Sequence, residues 1–232
     1  MPRVLLIEDD RAVREGVALA LRRQGHEVAA AETGEDGMAH LTSFRPDVVV
    51  LDLMLPGMTG LDVCRGIRAV DQTLPIVMAT ARGDDVDIVI GLEAGADDYV
   101  VKPVQAGVLN ARIRAVLRRA GGAGGGGDAG LPRIDTHGDL AIDRAGLSVT
   151  VAGAPVALAP SELRLLLTLS ASPGQVFSRQ QLLEAVWEHS YHGDARLVDA
   201  CVKRLRAKMG EPPREPRYIH TVRGFGYRFV SR

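Results

Sequence analysis

The chain has 232 residues, of which 46% are hydrophobic and 25% are charged, enough for one or two globular domains with packed cores. No run approaches the roughly 18 consecutive apolar residues of a membrane span, and the N-terminus lacks the pattern of a secretory signal. The two cysteines, Cys64 and Cys201, are too far apart in the sequence for a disulfide framework or a zinc cluster. These features predict a cytoplasmic protein without a membrane segment.

The net charge of −1 conceals an asymmetry between the two ends of the chain. Residues 1–119 hold 14 Lys and Arg against 18 Asp and Glu, whereas residues 196–232 hold 10 basic residues against 3 acidic ones. A basic C-terminal part favours a polyanionic partner, although basic residues that only solvate a surface would give the same count.

A glycine-rich segment separates the two parts, because seven of the eleven residues in 120–130 are glycine. This composition is typical of a flexible linker. We therefore expect a first domain at 1–120, a linker at 121–130 and a second domain at 131–232.

The first part alternates short apolar runs with amphipathic stretches. The runs at 3–8, 27–31, 47–52, 75–80 and 98–101 predict strands, and the stretches between and after them, including 34–42, 60–70, 84–94 and 105–119, predict helices. Strands that are apolar throughout, such as Val48-Val49-Val50-Leu51, are typical of a parallel sheet that is covered on both faces. The prediction is an α/β domain with five parallel strands.

Polar side chains stand where these strands end. The first strand runs into Glu8-Asp9-Asp10, the third ends at Asp52, the fourth ends at Thr80, and Lys102 follows the fifth. The carboxyl ends of parallel strands meet at one edge, where three carboxylates need a cation to neutralise them. Oxygen ligands of this kind suit Mg²⁺. Lys102 and Thr80 would hold an anion there, and Asp52 would be the nucleophile that attacks a phosphorus atom.

Together these residues resemble the receiver domain of two-component response regulators, over essentially all of 1–120. The matching motifs are Glu8-Asp9, the run Leu51-Asp52-Leu53-Met54-Leu55-Pro56-Gly57-Met58-Thr59-Gly60, Thr80-Ala81, Gly95-Ala96-Asp97-Asp98-Tyr99 and Lys102-Pro103. The resemblance implies a flavodoxin-like (βα)5 fold in which Asp52 accepts phosphate from a sensor histidine kinase. It further implies that Glu8, Asp9, Asp52 and the Met54 carbonyl hold Mg²⁺. Thr80 and Lys102 would then contact the phosphoryl group, and Tyr99 would turn inward on activation.

The same resemblance implies a face that pairs two phosphorylated receivers, formed by residues 84–94, 98–101 and 105–119. Side chains suited to ion pairs across this face are Glu93, Asp97, Asp98, Arg112 and Arg119. At two positions where the family carries a basic and an acidic residue, this chain has Ile88 and Val108, so an apolar contact would replace that ion pair.

The second part begins with short β-prone runs over 131–159 and continues with three predicted helices. The first opens at Pro160-Ser161-Glu162 and places Leu163, Leu166 and Leu167 on one face. The second begins with a capping box of Ser178 and Gln181, and its Trp187 is expected in the core.

The third helix, predicted over about 194–209 with Asp194 as its cap, separates apolar from basic positions. Val198, Val202, Leu205 and Met209 form a buried stripe, and a helical projection places Arg196, Ala200, Lys203, Arg204 and Ala207 opposite it. Small alanines among cations would let this helix enter a major groove. A hairpin follows, with Arg223 at its tip, suited to the backbone or minor groove.

Residues from 131 onward resemble the winged helix-turn-helix effector domain of the OmpR/PhoB subfamily. The residues that carry the resemblance are Arg196-Leu197-Val198-Asp199, Lys203-Arg204-Leu205-Arg206 and the run from Thr221 to Phe229. It implies that Arg204 contacts a base, that Arg196, Lys203, Arg206, Thr221 and Arg223 hold the DNA backbone, and that 188–194 meets RNA polymerase. The partners implied are a sensor kinase, double-stranded DNA with direct-repeat half-sites, and a second copy of the chain.

Two other interpretations of the first domain are possible. A phosphohydrolase with an aspartate nucleophile would carry a general acid two residues after it, where this chain has Met54, which cannot transfer a proton. Slow loss of its own phosphate is therefore expected, but not turnover of an external substrate. The second alternative is a receiver that serves only as a constitutive dimerisation module; the sequence does not exclude it, although the intact acidic site argues against it.

Overall fold

The computed structural model describes residues 1–80, 91, 94–103, 105–120, 134–187, 195–212 and 214–231. Contacts between residues divide the chain into two compact units, Met1–Ala120 and Gly121–Arg232. Within the described ranges, no helix has the length and apolar character needed to cross a bilayer.

A five-stranded parallel sheet forms the centre of the first unit, in the strand order β2-β1-β3-β4-β5. Its strands are β1 (Arg3–Ile7), β2 (Glu27–Ala31), β3 (Val48–Asp52), β4 (Ile76–Thr80) and β5 (Asp98–Val101). The central strand is apolar because helices cover both faces of the sheet, and every residue of β3 is buried. The predicted parallel α/β class is confirmed.

Four described helices flank this sheet: α1 (Arg11–Arg23), α2 (Gly34–Phe44), α3 (Gly60–Val70) and α4 (Ala106–Ala120). The first three begin at side-chain caps, since Asp10, Thr33 and Thr59 each accept a hydrogen bond from the backbone N–H three residues later. The predicted helix 84–94, with Ile88 and Glu93, falls almost entirely outside the described residues.

In its described residues, the second unit contains two antiparallel sheets and three helices. Four strands, β6 (Ile134–His137), β7 (Leu140–Asp143), β8 (Ser148–Val151) and β9 (Ala154–Pro155), pair in sequence order. The helices are α5 (Pro160–Ser170), α6 (Arg179–Trp187) and α7 (Arg196–Lys208). The C-terminal hairpin pairs β11 (Ile219–Val222) with β12 (Gly226–Phe229), and β10 (Val176–Ser178) adds a third strand beside β12. Three helices and a terminal hairpin form the predicted winged helix.

Several details of this unit differ from the sequence prediction. Strand β10 was not predicted, because three residues carry too little alternation to show a strand. Helix α5 buries Leu165, Leu166 and Leu169 rather than the predicted Leu163, Leu166 and Leu167, because it packs against both α6 and α7. Helix α7 begins after Ala195, which forms no side-chain cap, and the predicted cap Asp194 lies outside the described residues.

Candidate functional site

Three carboxylates meet at the carboxyl edge of the parallel sheet. Glu8 and Asp9 follow β1, Asp52 ends β3, and one ligand oxygen from each lies within 4.8 Å of the others. Glu8 and Asp52 are buried, whereas Asp9 is exposed. Gly60, the first residue of α3, lets the start of that helix lie close against the end of β3, because a Cβ there would collide with the Asp52 carbonyl oxygen.

Lys102, which follows β5, forms ion pairs with two of these carboxylates. Its Nζ donates hydrogen bonds to Asp52 Oδ2 at 2.8 Å and to Glu8 Oε1 at 2.6 Å. Burial lowers the pKa of Lys102, but its bonds to Asp52 and Glu8 outweigh burial and raise that pKa above the ordinary value. Burial also raises the pKa of Glu8, and the bond from Lys102 only partly offsets this.

The backbone of the acidic loop is held by Arg14 of α1. Its Nη1 donates to the carbonyl oxygens of Glu8 at 2.7 Å and Asp9 at 2.8 Å, and its Nη2 donates to Glu32 Oε2 at 2.9 Å. Arg14 was not among the site residues predicted from the sequence. The sequence does place a cation one helical turn after an acidic run, which could have indicated a role in the site. The same pattern is common on the exposed surface of a helix.

The pocket is chemically suited to a hard divalent cation. Its donors are carboxylate oxygens, and the exposed Asp9 leaves one side open to water, as Mg²⁺ prefers. On the neighbouring loop, the Met54 amide donates to Asp52 Oδ1 at 3.1 Å, which fixes the orientation of that carboxylate. The Met54 side chain is exposed.

The other expected switch residues lie on neighbouring strands. Thr80 ends β4 opposite Val101, and Tyr99 lies on β5 opposite Met78. The Tyr99 side chain is half-buried. The side chain of Thr80 lies outside the described part of the structure, as does that of Arg119.

In the second unit, α7 and the hairpin are fastened together by hydrogen bonds. Arg206 Nη2 donates to the Ile219 carbonyl oxygen at 2.6 Å and to Thr221 Oγ1 at 3.0 Å. The Tyr227 hydroxyl donates to Asp199 Oδ1 at 2.7 Å. Burial, followed by the bond to Asp199, raises the pKa of Tyr227 to about 12, so the hydroxyl remains a donor at neutral pH.

Comparison with known proteins identifies both units. Residues 4–114 match the family model "Response regulator receiver domain", and residues 153–229 match "Transcriptional regulatory protein, C terminal". The transcriptional regulatory protein AfsQ1 of Streptomyces coelicolor is 59% identical over 228 residues, which cover 98% of each chain. The chain is an OmpR/PhoB-type response regulator. The family consists of transcription regulators rather than catalytic enzymes, and its members work with a sensor kinase and DNA.

Other relatives extend over the whole regulator. The DNA-binding response regulator MtrA of Mycolicibacterium smegmatis is 44% identical and covers 97% of this chain, which in turn covers 96% of MtrA. A solved structure of a RitR mutant matches with a TM-score of 0.75 and 28% identity, and both chains are covered completely. The predicted two-part architecture is confirmed by relatives of full length.

The regulator buries two of the residues expected at its dimer face. Asp97 Oδ2 accepts from Arg68 Nη2 at 2.7 Å and from the Ile76 amide at 3.0 Å, and its side chain is fully buried. Asp98 Oδ1 accepts from Arg112 Nη1 at 3.0 Å. Each aspartate therefore has a basic partner within its own receiver, which argues against the expectation that both bridge two receivers. Val108, by contrast, is exposed.

Two residues that the helical projection placed on the open face of α7 contact the rest of the second unit instead. Arg204 Nε donates to Glu162 Oε1 of α5 at 2.9 Å, and Lys208 Nζ donates to Glu162 Oε2 at 2.7 Å. Glu162 is almost completely buried and needs a cationic partner, which draws Arg204 from the open face. Ala200 is buried as well. The bond to Glu162 therefore argues against the expectation that Arg204 leads base recognition.

Four residues expected to hold DNA remain on or near the outer surface of the regulator. Lys203, Thr221 and Arg223 are exposed, and Arg196, at the start of α7, is half-buried.

Proposed function

We propose that Asp52 accepts a phosphoryl group from a sensor histidine kinase and that this phosphorylation controls binding of the regulator to DNA. The observation that carries the proposal is the position of Lys102 Nζ, 2.8 Å from Asp52 Oδ2, beside the cluster of Glu8, Asp9 and Asp52. A carboxylate nucleophile, a fixed ammonium group and a set of hard oxygen ligands are what phosphoryl transfer requires.

The residues of the pocket divide the work of the transfer among them. Mg²⁺, held by Glu8, Asp9, Asp52 and the Met54 carbonyl, would neutralise charge on the transferred phosphoryl oxygens. Asp52 supplies the oxygen that attacks phosphorus, and the bond from phosphorus to the kinase histidine breaks as the new one forms. Lys102 then has an anionic partner bearing about −1.5 to −2 charges in place of a carboxylate.

This change of partner is the origin of the switch in our proposal. Thr80 and Lys102 turn towards the phosphoryl oxygens, and Tyr99 moves into the space that this frees. The face that contains β5 and α4 changes shape as a result, and phosphorylation promotes dimerisation through it. With Asp97 and Asp98 engaged within the receiver, the exposed Val108, together with Ile88, would supply an apolar contact in that face.

For the second unit we propose that α7 lies in the major groove and the hairpin contacts the adjacent backbone. Lys203, Arg196, Thr221 and Arg223 bind DNA, and Arg206 connects the two elements. Dimerisation would place two such units on half-sites one helical turn, about 10–10.5 bp, apart. We assign residues 188–194 to a contact with RNA polymerase, and we place the regulator in the cytoplasm, where these partners are.

The proposal is tested by comparing the wild-type chain with Asp52→Ala. Sedimentation and DNA affinity are measured with and without acetyl phosphate and Mg²⁺. We expect the phosphodonor to increase both dimerisation and affinity in the wild type, and to change neither in the variant, which retains weak DNA binding. Unchanged affinity and association state in the phosphorylated wild type would overturn the proposed coupling.

A further inference from the structure

The tip of the C-terminal hairpin presents an aromatic ring to solvent. Phe225 is 70% exposed, whereas the other aromatic residues of this segment, Tyr218, Tyr227 and Phe229, are buried. The folded unit therefore does not use the Phe225 ring in its core. A large apolar side chain in this position is free to meet an external partner.

The turn that carries Phe225 is well defined. The Phe225 amide donates a hydrogen bond to the Val222 carbonyl oxygen at 3.0 Å. Gly224 has the positive φ of 79° that a type II turn requires at its third residue. At Gly226, a Cβ would lie 2.0 Å from the Phe177 carbonyl oxygen, so β12 lies close against β10. Because the turn is already fixed, little backbone entropy is lost when the ring meets a partner.

The tip is also held in a fixed position relative to α7. Arg206 bonds to β11 through Ile219, and Tyr227 of β12 bonds to Asp199 of α7. The Arg206 guanidinium carbon also lies 5.8 Å from the centre of the Tyr227 ring. Both strands of the hairpin are therefore tied to the helix, and a helix docked in a major groove would carry the tip to the next minor groove.

Charge identifies the partner of this ring. Arg223 lies two residues before Phe225, and both Arg223 and Lys203 of α7 are exposed. An aromatic ring two residues from an exposed cation suits a surface on which apolar sugar faces lie between rows of phosphates, as in a DNA minor groove.

We propose that Phe225 inserts into the minor groove of double-stranded DNA and packs against its deoxyribose walls. The proposal rests on the proposed DNA interface of α7 and the hairpin and adds an apolar contact to it. An apolar contact releases no counterions, so its contribution to affinity does not depend on salt, whereas each cation on a phosphate adds to the salt dependence.

The test measures the affinity of the full chain for a duplex that the wild type has enriched from a random pool, over a series of KCl concentrations. Phe225→Ala should weaken binding by about five- to twentyfold, or roughly 1–2 kcal/mol at 1.4 kcal/mol per factor of ten. The slope of log K against log[KCl] should stay unchanged. Phe225→Leu should retain most of the affinity, while Arg223→Ala should reduce the slope by about 1.

A matched control is Ile134→Ala, which removes an exposed apolar side chain from the other sheet of the same unit. We expect wild-type affinity for this variant, and an unchanged melting temperature for Phe225→Ala because the ring lies outside the core. Wild-type affinity of Phe225→Ala at every salt concentration would overturn the proposal. So would unchanged affinity combined with weakened self-association, since the ring would then contact a second copy.

Failure of the underlying interface gives a different result. If Lys203→Ala and Arg223→Ala also bind like the wild type, then α7 and the hairpin do not form the DNA interface. If those two variants bind more weakly and Phe225→Ala does not, only the assignment of Phe225 is wrong.

Discussion

Lys102 Nζ lies 2.8 Å from Asp52 Oδ2, so the proposed phosphoacceptor has a built-in counter-ion in the unphosphorylated chain. The same ammonium group bonds Glu8, and both carboxylates are buried. One ammonium group therefore pairs with two buried carboxylates. As a result, the stability of the receiver and its proposed ability to accept a phosphoryl group depend on the same side chain. This relationship connects the fold of the first unit to its chemistry.

Lys102→Met should therefore destabilise the first unit. Removing the ammonium group leaves two buried carboxylates without a cationic partner, which we expect to lower the free energy of unfolding by about 2–4 kcal/mol. Added Mg²⁺ should recover part of this loss by supplying another cation. Thermal unfolding followed by circular dichroism, with and without Mg²⁺, measures both effects.

The control for this variant is Arg11→Met, which removes an exposed ion pair with Glu15. Such pairs contribute about 0–1 kcal/mol, so little change is expected. An equal loss for Lys102→Met with and without Mg²⁺ would show that the ammonium group does not act as a counter-ion.

Glu162 predicts how the stability of the second unit depends on pH. Burial raises the pKa of this carboxyl, but the charges of Arg204 and Lys208 outweigh burial and hold it below the ordinary value of 4.5. The stability contributed by ionised Glu162 is therefore complete above pH 4.5 and is lost as the pH falls through the lower, folded-state pKa. Glu162→Gln should lower the free energy of unfolding by about 3 kcal/mol at neutral pH. The difference in this free energy between the variant and the wild type should become smaller in acid.

Fluorescence of Trp187 measures this effect in the intact chain, because it is the single tryptophan and lies in α6 of the second unit. Glu184→Gln, which changes a carboxylate that bonds only to the Gln180 side chain among the described contacts, is the matched control and should follow the wild type. If the free energies of unfolding of Glu162→Gln and wild type differ by the same amount at all pH values, the proposed role of the Glu162 charge is wrong.

Substitution of Asp97 tests whether this residue stabilises the receiver internally or contributes to dimerisation. Because its carboxylate is fully buried against Arg68, Asp97→Asn should lower the free energy of unfolding by about 3 kcal/mol. At temperatures where the variant is folded, its dimerisation constant should equal that of wild type. Normal stability with weakened dimerisation, seen in parallel melting and sedimentation experiments, would restore the surface role.

Tyr227 should titrate well above the ordinary range of a tyrosine. Its folded-state pKa of about 12 lies above the ordinary 10.0, so its contribution to stability is complete below pH 10 and is lost as the pH rises towards 12. The difference in phenolate absorbance between wild type and Tyr227→Phe isolates this titration. Ionisation of Tyr227 near pH 10 in the folded chain would contradict the burial of its hydroxyl beside Asp199.

The sequence allowed prediction of the elements whose signals are local. Five apolar runs indicated the parallel sheet, and the strand ends placed Asp52, Glu8, Asp9 and Lys102 at one edge. Partners distant in sequence could not be predicted in this way. Glu162 and Arg204 are 42 residues apart, and a projection of one helix does not show which neighbouring helix covers each of its faces. The basic partners of the buried Asp97 and Asp98 could not be predicted for the same reason, since acidic residues at the start of a strand suggest an exposed position.

The most direct test of the account is mass spectrometry of the chain after incubation with acetyl phosphate and Mg²⁺. We expect one phosphoryl group, located on the peptide that contains Asp52 and absent from Asp52→Asn. The absence of an adduct in the wild type, or an adduct on a different residue, would contradict the central claim.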